Sequence, residues 1–239
     1  MSMPTPADGS APGYFGVYPA LVTDLVDPDS LGRVEVRFPW LGADGDRDVR
    51  AWATLCSPYA DDQQGLQIVP EVDSQVVVAF EAGNLRRPYV IGCAWNGVRS
   101  QPEAPTDAND LRVLKTRSGS SLEFDDGAAG AKITVVTSNG NKVVLDDGSG
   151  GSAEVRTASG HHVTMDQSQL TVSHALGCSV TLTATAVQVN GNVQVTVTAP
   201  MVSVSAPMTT FSGVLQATTI IATTSVVSPS YSPGVGNIL

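Results

Sequence analysis

Charge is what the second half of this chain lacks. Between residues 157 and 239 the only side chain charged at neutral pH is Asp166. Aromatic residues are scarce too, at 5% of 239 residues. A groove for single-stranded nucleic acid stacks bases on aromatic rings over a basic surface, whereas this chain has few rings and a net charge of −10. The same acidity disfavours an anionic membrane surface, which rewards clustered Lys and Arg. The three cysteines, Cys56, Cys93 and Cys178, are odd in number and far apart. They read as buried thiols in a reducing compartment rather than as a disulfide framework. No run of about 18 apolar residues is present, so no helix is expected to span a bilayer. The start, Met-Ser-Met-Pro-Thr-Pro-Ala-Asp-Gly-Ser, has neither a cationic flank nor an apolar stretch, and no secretory signal is expected there.

What is present is alternation. Over much of the stretch from 157 to 239 Val alternates with Thr, Ser or another small residue, as in Val187-Gln-Val-Asn-Gly-Asn-Val-Gln-Val-Thr-Val-Thr-Ala-Pro200. Period-2 alternation of β-branched residues marks strands, and no helical window competes with it. The strands are thin, however. Residues 136–156 offer only five large aliphatics, Val136, Val143, Val144, Leu145 and Val155. Burying so few side chains does not offset the entropy of ordering the backbone. The C-terminal half is therefore expected to be a fibrous β-oligomer that folds by intertwining with copies of itself.

The chain divides into five parts. Residues 1–13 read as a flexible arm. Residues 14–97 carry five alternating runs, at Tyr14–Val26, Arg33–Phe38, Val49–Cys56, Gln75–Phe80 and Tyr89–Cys93. Turn clusters such as Asp27-Pro-Asp-Ser30, Gly42-Ala-Asp-Gly45 and Ala82-Gly-Asn84 separate them, which suits a small closed barrel of the OB type. Residues 98–110 read as an extended linker, 111–227 as the β-oligomer, and 228–239 as a terminal segment rich in turn residues.

Within 111–227 an internal repeat stands out: Gly, two variable residues, apolar, any, apolar, Asp. It occurs at Gly119 (Leu122, Phe124, Asp125), Gly140 (Val143, Leu145, Asp146) and Gly160 (Val163, Met165, Asp166). A fourth copy begins at Gly177 (Val180, Leu182), with Thr183 in place of Asp. Each of these glycines follows its predecessor more closely than the last, which predicts stacked units around a shared interior that narrows. The eight apolar members of the repeats, with Val187, Val189, Val193, Val195 and Val197 beyond them, are the candidates for that interior.

The wording of residues 13–97 is specific. Gly13-Tyr-Phe-Gly-Val-Tyr-Pro-Ala-Leu-Val-Thr-Asp24 resembles the opening of the OB domain in the baseplate spikes of contractile phage tails. Asp27-Pro-Asp-Ser-Leu-Gly-Arg-Val-Glu-Val-Arg-Phe-Pro-Trp-Leu41 is similar to that family's most recognisable stretch. Ala51-Trp-Ala-Thr-Leu-Cys-Ser-Pro58, Val69-Pro-Glu-Val-Asp-Ser-Gln-Val-Val-Val-Ala-Phe-Glu-Ala-Gly-Asn84 and Arg87-Pro-Tyr-Val-Ile-Gly-Cys-Ala-Trp-Asn-Gly97 follow in order. Thr116-Arg-Ser-Gly-Ser-Ser-Leu-Glu-Phe-Asp-Asp126 resembles the first turn of the family's triple-stranded β-helix.

The family includes short phage spikes, the VgrG proteins of type VI secretion and the spikes of extracellular injection systems. The resemblance implies an all-β fold, an OB barrel followed by an intertwined homotrimeric needle. It also implies a structural, membrane-piercing role between the hub and tube proteins and the target envelope. A VgrG carries a large hub domain before the barrel, which the short arm ahead of Tyr14 does not supply, so the short form with a separate hub is expected. Assembly is expected in the cytoplasm, followed by release within a phage-like or extracellular contractile particle. The resemblance further implies a PAAR-repeat tip protein on the C-terminal segment, with Tyr231, Pro233, Val235, Ile238 and Leu239 as its docking residues. Folding back as its own cap is the other reading of that segment.

Other residues invite sharper chemistry. Arg33, Arg37, Arg86 and Arg87 are expected to pair with carboxylates such as Asp29, Glu35 and Glu81, not with a polyanion. His161, His162 and His174 would form an axial metal site only if one position repeated about a three-fold axis. Adjacent His161 and His162 face opposite ways on a strand, and the family's His-x-His spacing is absent, so hydrogen-bonded or exposed imidazoles are expected. Asp125-Asp-Gly127 and Asp146-Asp-Gly148 read as turns, because the Gly-Gly-x-Gly-x-Asp calcium repeat is missing. Ser118, Ser120 and Ser121 lack a Gly-x-Ser-x-Gly context, so no catalytic group, cofactor or metal is assigned. The competing classes are a spike that also carries or docks an effector or cell-wall hydrolase, a nucleic-acid-binding OB protein, and a receptor-binding fibre tip.

Overall fold

The computed structural model describes residues 13–44 and 47–229. Residues 1–12 of the arm and the docking residues Tyr231, Pro233, Val235, Ile238 and Leu239 lie outside the described residues. In chain order the first half forms β1 (Val17–Asp24), β2 (Arg33–Arg37), a short ribbon of β3 (Ala43–Asp44) and β4 (Arg47–Asp48), β5 (Arg50–Leu55), a second ribbon of β6 (Ala60–Asp61) and β7 (Gln64–Gly65), β8 (Gln75–Phe80) and β9 (Pro88–Cys93). Strands β1, β2, β5, β9 and β8 close in that order into a barrel. All neighbours are antiparallel except β5 and β9, which run parallel at Thr54↔Tyr89 and Leu55↔Val90.

Alternation accounts for the barrel core. Ala20 and Val22, Val34 and Val36, Val76 and Val78 each point inward on every second position and are buried with Phe38, Ala53, Phe80 and Val90. Tyr14, Tyr18 and Trp40 pack against this cluster. Tyr18 stacks on Trp40 with centroids 4.7 Å apart, and Trp40 Nε1 donates to the Pro19 carbonyl at 2.9 Å. The rings bury large apolar area while the indole N–H keeps a partner.

The three cysteines differ from expectation, since all are exposed. Cys93 comes opposite the buried Val76 through a register shift between β8 and β9, and it is the last residue of β9. Cys56 directly follows β5, and Cys178 lies in a turn between later strands.

The expected turn at Asp27 proves to be an organised hub. Asp27 accepts the backbone amides of Asp29, Leu31 and Arg33. It also receives Arg33 Nε at 2.9 Å and Arg33 Nη2 at 2.7 Å. Arg33 reaches Asp29 as well, at 2.6 Å. Arg50 pairs with Glu35 at 3.4 Å and Arg87 with Glu81 at 3.0 Å, so the cations of this region are largely engaged by carboxylates.

The second half forms nine strands: β10 (Leu111–Lys115), β11 (Ser121–Asp125), β12 (Lys132–Val136), β13 (Lys142–Asp146), β14 (Ser152–Arg156), β15 (His162–Asp166), β16 (Gln169–Ser173), β17 (Ser179–Thr183) and β18 (Val187–Asn190). Each pairs antiparallel with the next in one meandering sheet. The seven strands from β11 to β17 thus have a partner on both sides within one copy, with β10 and β18 as the edges of the sheet. Two compact units divide between Asn192 and Val193. In the second, residues 193–229, no strand forms among the described residues and every side chain is exposed.

The hydrogen bonds from Arg33, and then those from backbone amides, hold the Asp27 carboxyl well below the usual carboxylate range. A depressed acid stabilises the fold above its ordinary value and loses that contribution as pH falls. Asp27→Asn should therefore lower the barrel's melting temperature at neutral pH. The gap to the native protein should narrow as pH drops below about 3.9. An equal gap at neutral and acid pH would contradict this.

Candidate trimer-forming face

The repeat pattern becomes turn chemistry in the structure. Four hairpin turns, at residues 116–120, 137–141, 157–161 and 174–178, share one plan. The amide of the first residue donates to the carbonyl of the fifth, and the glycine amide donates back to the first carbonyl, all at 2.8–3.0 Å. The glycines Gly119, Gly140, Gly160 and Gly177 have φ between 87° and 99°, as a turn ending in a glycine bulge requires. The turns are also stitched to one another by the side chain of the fifth residue. Ser120 Oγ accepts the Ser138 amide, Asn141 Oδ1 the Ala158 amide, and His161 Nδ1 the Ala175 amide, at 3.0–3.2 Å. Cys178 Sγ stands 3.5 Å from the Asn192 amide in the same relation.

The Asp that ends each repeat caps the other end of the strands. Asp125 Oδ1 accepts the Gly127 amide at 2.9 Å, and Asp146 Oδ1 accepts the Gly148 amide at 2.8 Å. Asp166 accepts the amides of Ser168 and Gln169 and the Ser168 hydroxyl. The Ser168 hydroxyl, followed by these amides, holds the Asp166 carboxyl below its ordinary value. Thr183 Oγ1 does the same work, accepting the Ala186 amide at 3.0 Å. The single charge beyond Arg156 is thus a turn acceptor. The glycine turns keep the same length throughout, whereas the loops after the cap shrink from 126–131 and 147–151 to 167–168 and 184–186. All of the repeat's shortening lies in the second kind of loop.

These turns fix a register that sorts the side chains. Leu122, Val135, Val143, Val155, Val163, Val172, Val180 and Val189 stand opposite one another along one row. Phe124, Ile133, Leu145, Ala153, Met165, Leu170, Leu182 and Val187 form a second row on the same face. This face is uncovered: Leu145 and Val155 are 49% exposed and Val189 is 55% exposed. The opposite face is the polar one, with Glu123, Thr134, Val144, Glu154, Thr164, Thr171, Thr181 and Gln188 in register.

Ten of the thirteen candidate interior residues, from Leu122 to Val189, are brought together on the apolar face. Val193, Val195 and Val197 lie in the second unit and are exposed. Among the described residues no group of three or more His, Cys, Asp or Glu is placed to hold a metal ion. The rings of His161 and His174 meet at a tilt of 46°, with centroids 4.3 Å apart. No helix among the described residues is long and apolar enough to cross a membrane.

An apolar face this continuous on one copy needs a cover, and comparison with known proteins names the kind. The type VI secretion system/phage-baseplate injector OB domain matches residues 18–95. The phage baseplate V C-terminal trimerisation domain matches residues 132–196, most of the apolar face. The chain belongs to the baseplate-spike family. Its relatives include the type VI secretion system spike protein VgrG3 of Vibrio cholerae, 28% identical over 44% of this chain and 11% of that protein. VgrG4b of Pseudomonas aeruginosa is 30% identical over 46% of this chain and 14% of its own length. The actin cross-linking toxin VgrG1 of Vibrio cholerae is 25% identical over 44% of this chain and 10% of its length. The matches therefore take in only a tenth to a seventh of these larger relatives. The trimerisation domain supports a homotrimer in a baseplate or secretion setting.

The turn geometry is open to direct test. A Cβ on Gly160 would stand 3.3 Å from the Ala175 Cβ at a φ of +91°. Gly160→Ala should destabilise the assembled protein by about 1–2 kcal/mol, read from its denaturant midpoint. A change within error would show that the turn tolerates another backbone conformation.

Proposed function

We propose that this spike-family chain is the central spike of a contractile injection system or phage-tail-like baseplate, acting mechanically and not as an enzyme. One observation carries the reading. The sheet pairs its strands in sequence within one copy yet leaves its apolar face open, and residues 193–229 contain neither a strand nor a buried side chain. Three copies packing these faces together would bury Leu122, Phe124, Val143, Leu145, Val163, Met165, Val180, Leu182, Val187 and Val189. The alternating Val193, Val195 and Val197 would continue that interior, with backbone pairing supplied by neighbouring copies. A close-packed interior bounded by ladders has no soft hinge, which suits a body that transmits force.

The barrel would join hub and tube proteins, and the segment 228–239 would seat a PAAR-repeat tip. Puncture of the target membrane fits the charge distribution. Beyond Arg156 the polar face offers Thr164, Thr171, Thr181 and Gln188, and each charge forced into hydrocarbon costs several kcal/mol.

Val163→Glu or Leu182→Glu places a charge on the apolar face, where burial without a partner is costly. Each variant is expected to lose the trimer while the barrel stays folded; a trimer of native stability would refute the interior assignment. Replacing Thr164, Thr171 and Thr181 with Lys should leave the trimer intact and lower delivery into target cells, and unchanged delivery would remove the membrane role. Recovery of a tip protein should require residues 228–239; equal recovery without them would exclude docking there.

A further inference from the structure

We propose that the barrels of neighbouring copies lock together at the end nearest the sheet, with the turn at 96–99 of one copy seated in a groove on the next. The inference rests on the trimer reading and adds a second contact to the open face of the sheet. Strands β5 and β9 run parallel and β8 runs against β9. One end of the barrel therefore holds the ends of β5 and β9 and the start of β8. The loop before β8 ties that end to the sheet, where Glu71 Oε2 accepts Arg117 Nη1 at 3.0 Å in the first glycine turn. Exposed apolar side chains stand on both sides of this join. Leu114 extends the row of Leu122 onto β10 and is exposed. Val69 and Val72, on either side of Glu71, are exposed as well, and so are Leu66 and Ile68. Three sheets packed face to face would carry these three barrel ends beside one another.

A closed ring of three copies needs two different patches that fit each other, because each contact is heterologous. The barrel end carries such a pair on the two flanks of β9. On the β5 flank, the ribbon of β6 and β7 leaves a groove lined by Leu31, Leu55, Cys56, Leu66, Ile68 and Val90. The ribbon is held in shape, since Ser57 Oγ donates to the Leu66 carbonyl at 2.7 Å and the Leu66 amide donates to the Tyr59 carbonyl at 2.9 Å. Arg33 also borders the groove, but Asp27 and Asp29 already hold it. At the ribbon's tip, Asp61 and Asp62 have no ion-pair partner among the described residues. On the β8 flank, the Ala94 amide donates to the Gln75 carbonyl at 3.1 Å, and Asn96 Nδ2 donates to Gln75 Oε1 at 2.8 Å. Asn96 Oδ1 then accepts the Val98 and Arg99 amides and closes a turn. That turn presents Val98, 92% exposed and the most open large apolar side chain ahead of Val193 among the described residues. Arg99 follows it, likewise without an ion-pair partner among the described residues. Val98 suits the apolar groove and Arg99 the two carboxylates at its rim, so shape and charge select the same partner.

Labelling of Cys56 by an uncharged maleimide tests the contact on the full chain, with the mass of each sample measured in parallel. Cys56 is exposed in a single copy and lies in the groove, so the assembled native chain should label it slowly. Val98→Glu drives a carboxylate against the apolar groove. The trimer mass should be kept, while Cys56 labels about tenfold faster because the contact opens. Asp61→Lys with Asp62→Lys should speed labelling in the same way. Adding Arg99→Glu to that pair should restore slow labelling, which damage to the fold would not do. Cys178, in a glycine turn of the sheet, is the internal control and should react alike in every variant. Equal labelling of Cys56 in native and Val98→Glu trimers would overturn the contact alone, as would a charge swap without rescue. A native mass of one copy would remove the trimer reading and the contact together.

Discussion

One face of one sheet cannot be finished by the copy that makes it. The nine strands from Leu111 to Asn190 pair each with the next within one copy, yet two rows of Val, Leu, Ile, Phe and Met remain open to water. Beyond Asn192 even the backbone lacks a partner strand within the described residues. The barrel has its own core around Phe38, the sheet leaves its apolar face open, and residues 193–229 form neither a strand nor a buried side chain.

The two kinds of turn divide the work of building that face. Glycine turns of constant length hold the register, so every second residue falls on the same side over nine strands. Their fifth residues tie each turn to the next. The capped loops vary in length and absorb all of the change in repeat spacing without disturbing the rows. Where the loop is shortest, at 167–168, its cap is Asp166, and in the next unit Thr183 provides the same acceptor without charge. The scarcity of charge is therefore compatible with regular strands, because the one carboxylate that remains has a turn to hold.

Much of this was legible in the sequence because it is local. Alternation at Arg33–Phe38 and Gln75–Phe80 marks the barrel strands almost where they stand, and the spacing of Gly119, Gly140, Gly160 and Gly177 marks the turns. The terminal Asp of each repeat is visible as a pattern, and its reason, an acceptor just ahead of the amide it caps, is equally local. What the sequence did not reveal is long-range. Cys93 comes opposite Val76 only through an irregularity in the pairing of β8 with β9, and neither that shift nor the point at which the barrel ends is encoded in alternation. Asp27 is readable as a turn residue but not as the seat of Arg33. The pairing of the nine strands within one copy, and the stitching of His161 to the turn at His174, depend on how successive hairpins stack, which periodicity does not encode.

The most direct test is the mass of the intact chain in solution by sedimentation equilibrium. The account predicts a stable species at three times the 24.7 kDa of one copy, with no monomer that keeps the sheet folded on dilution. A folded monomer that keeps the full strand content of the sheet would contradict it.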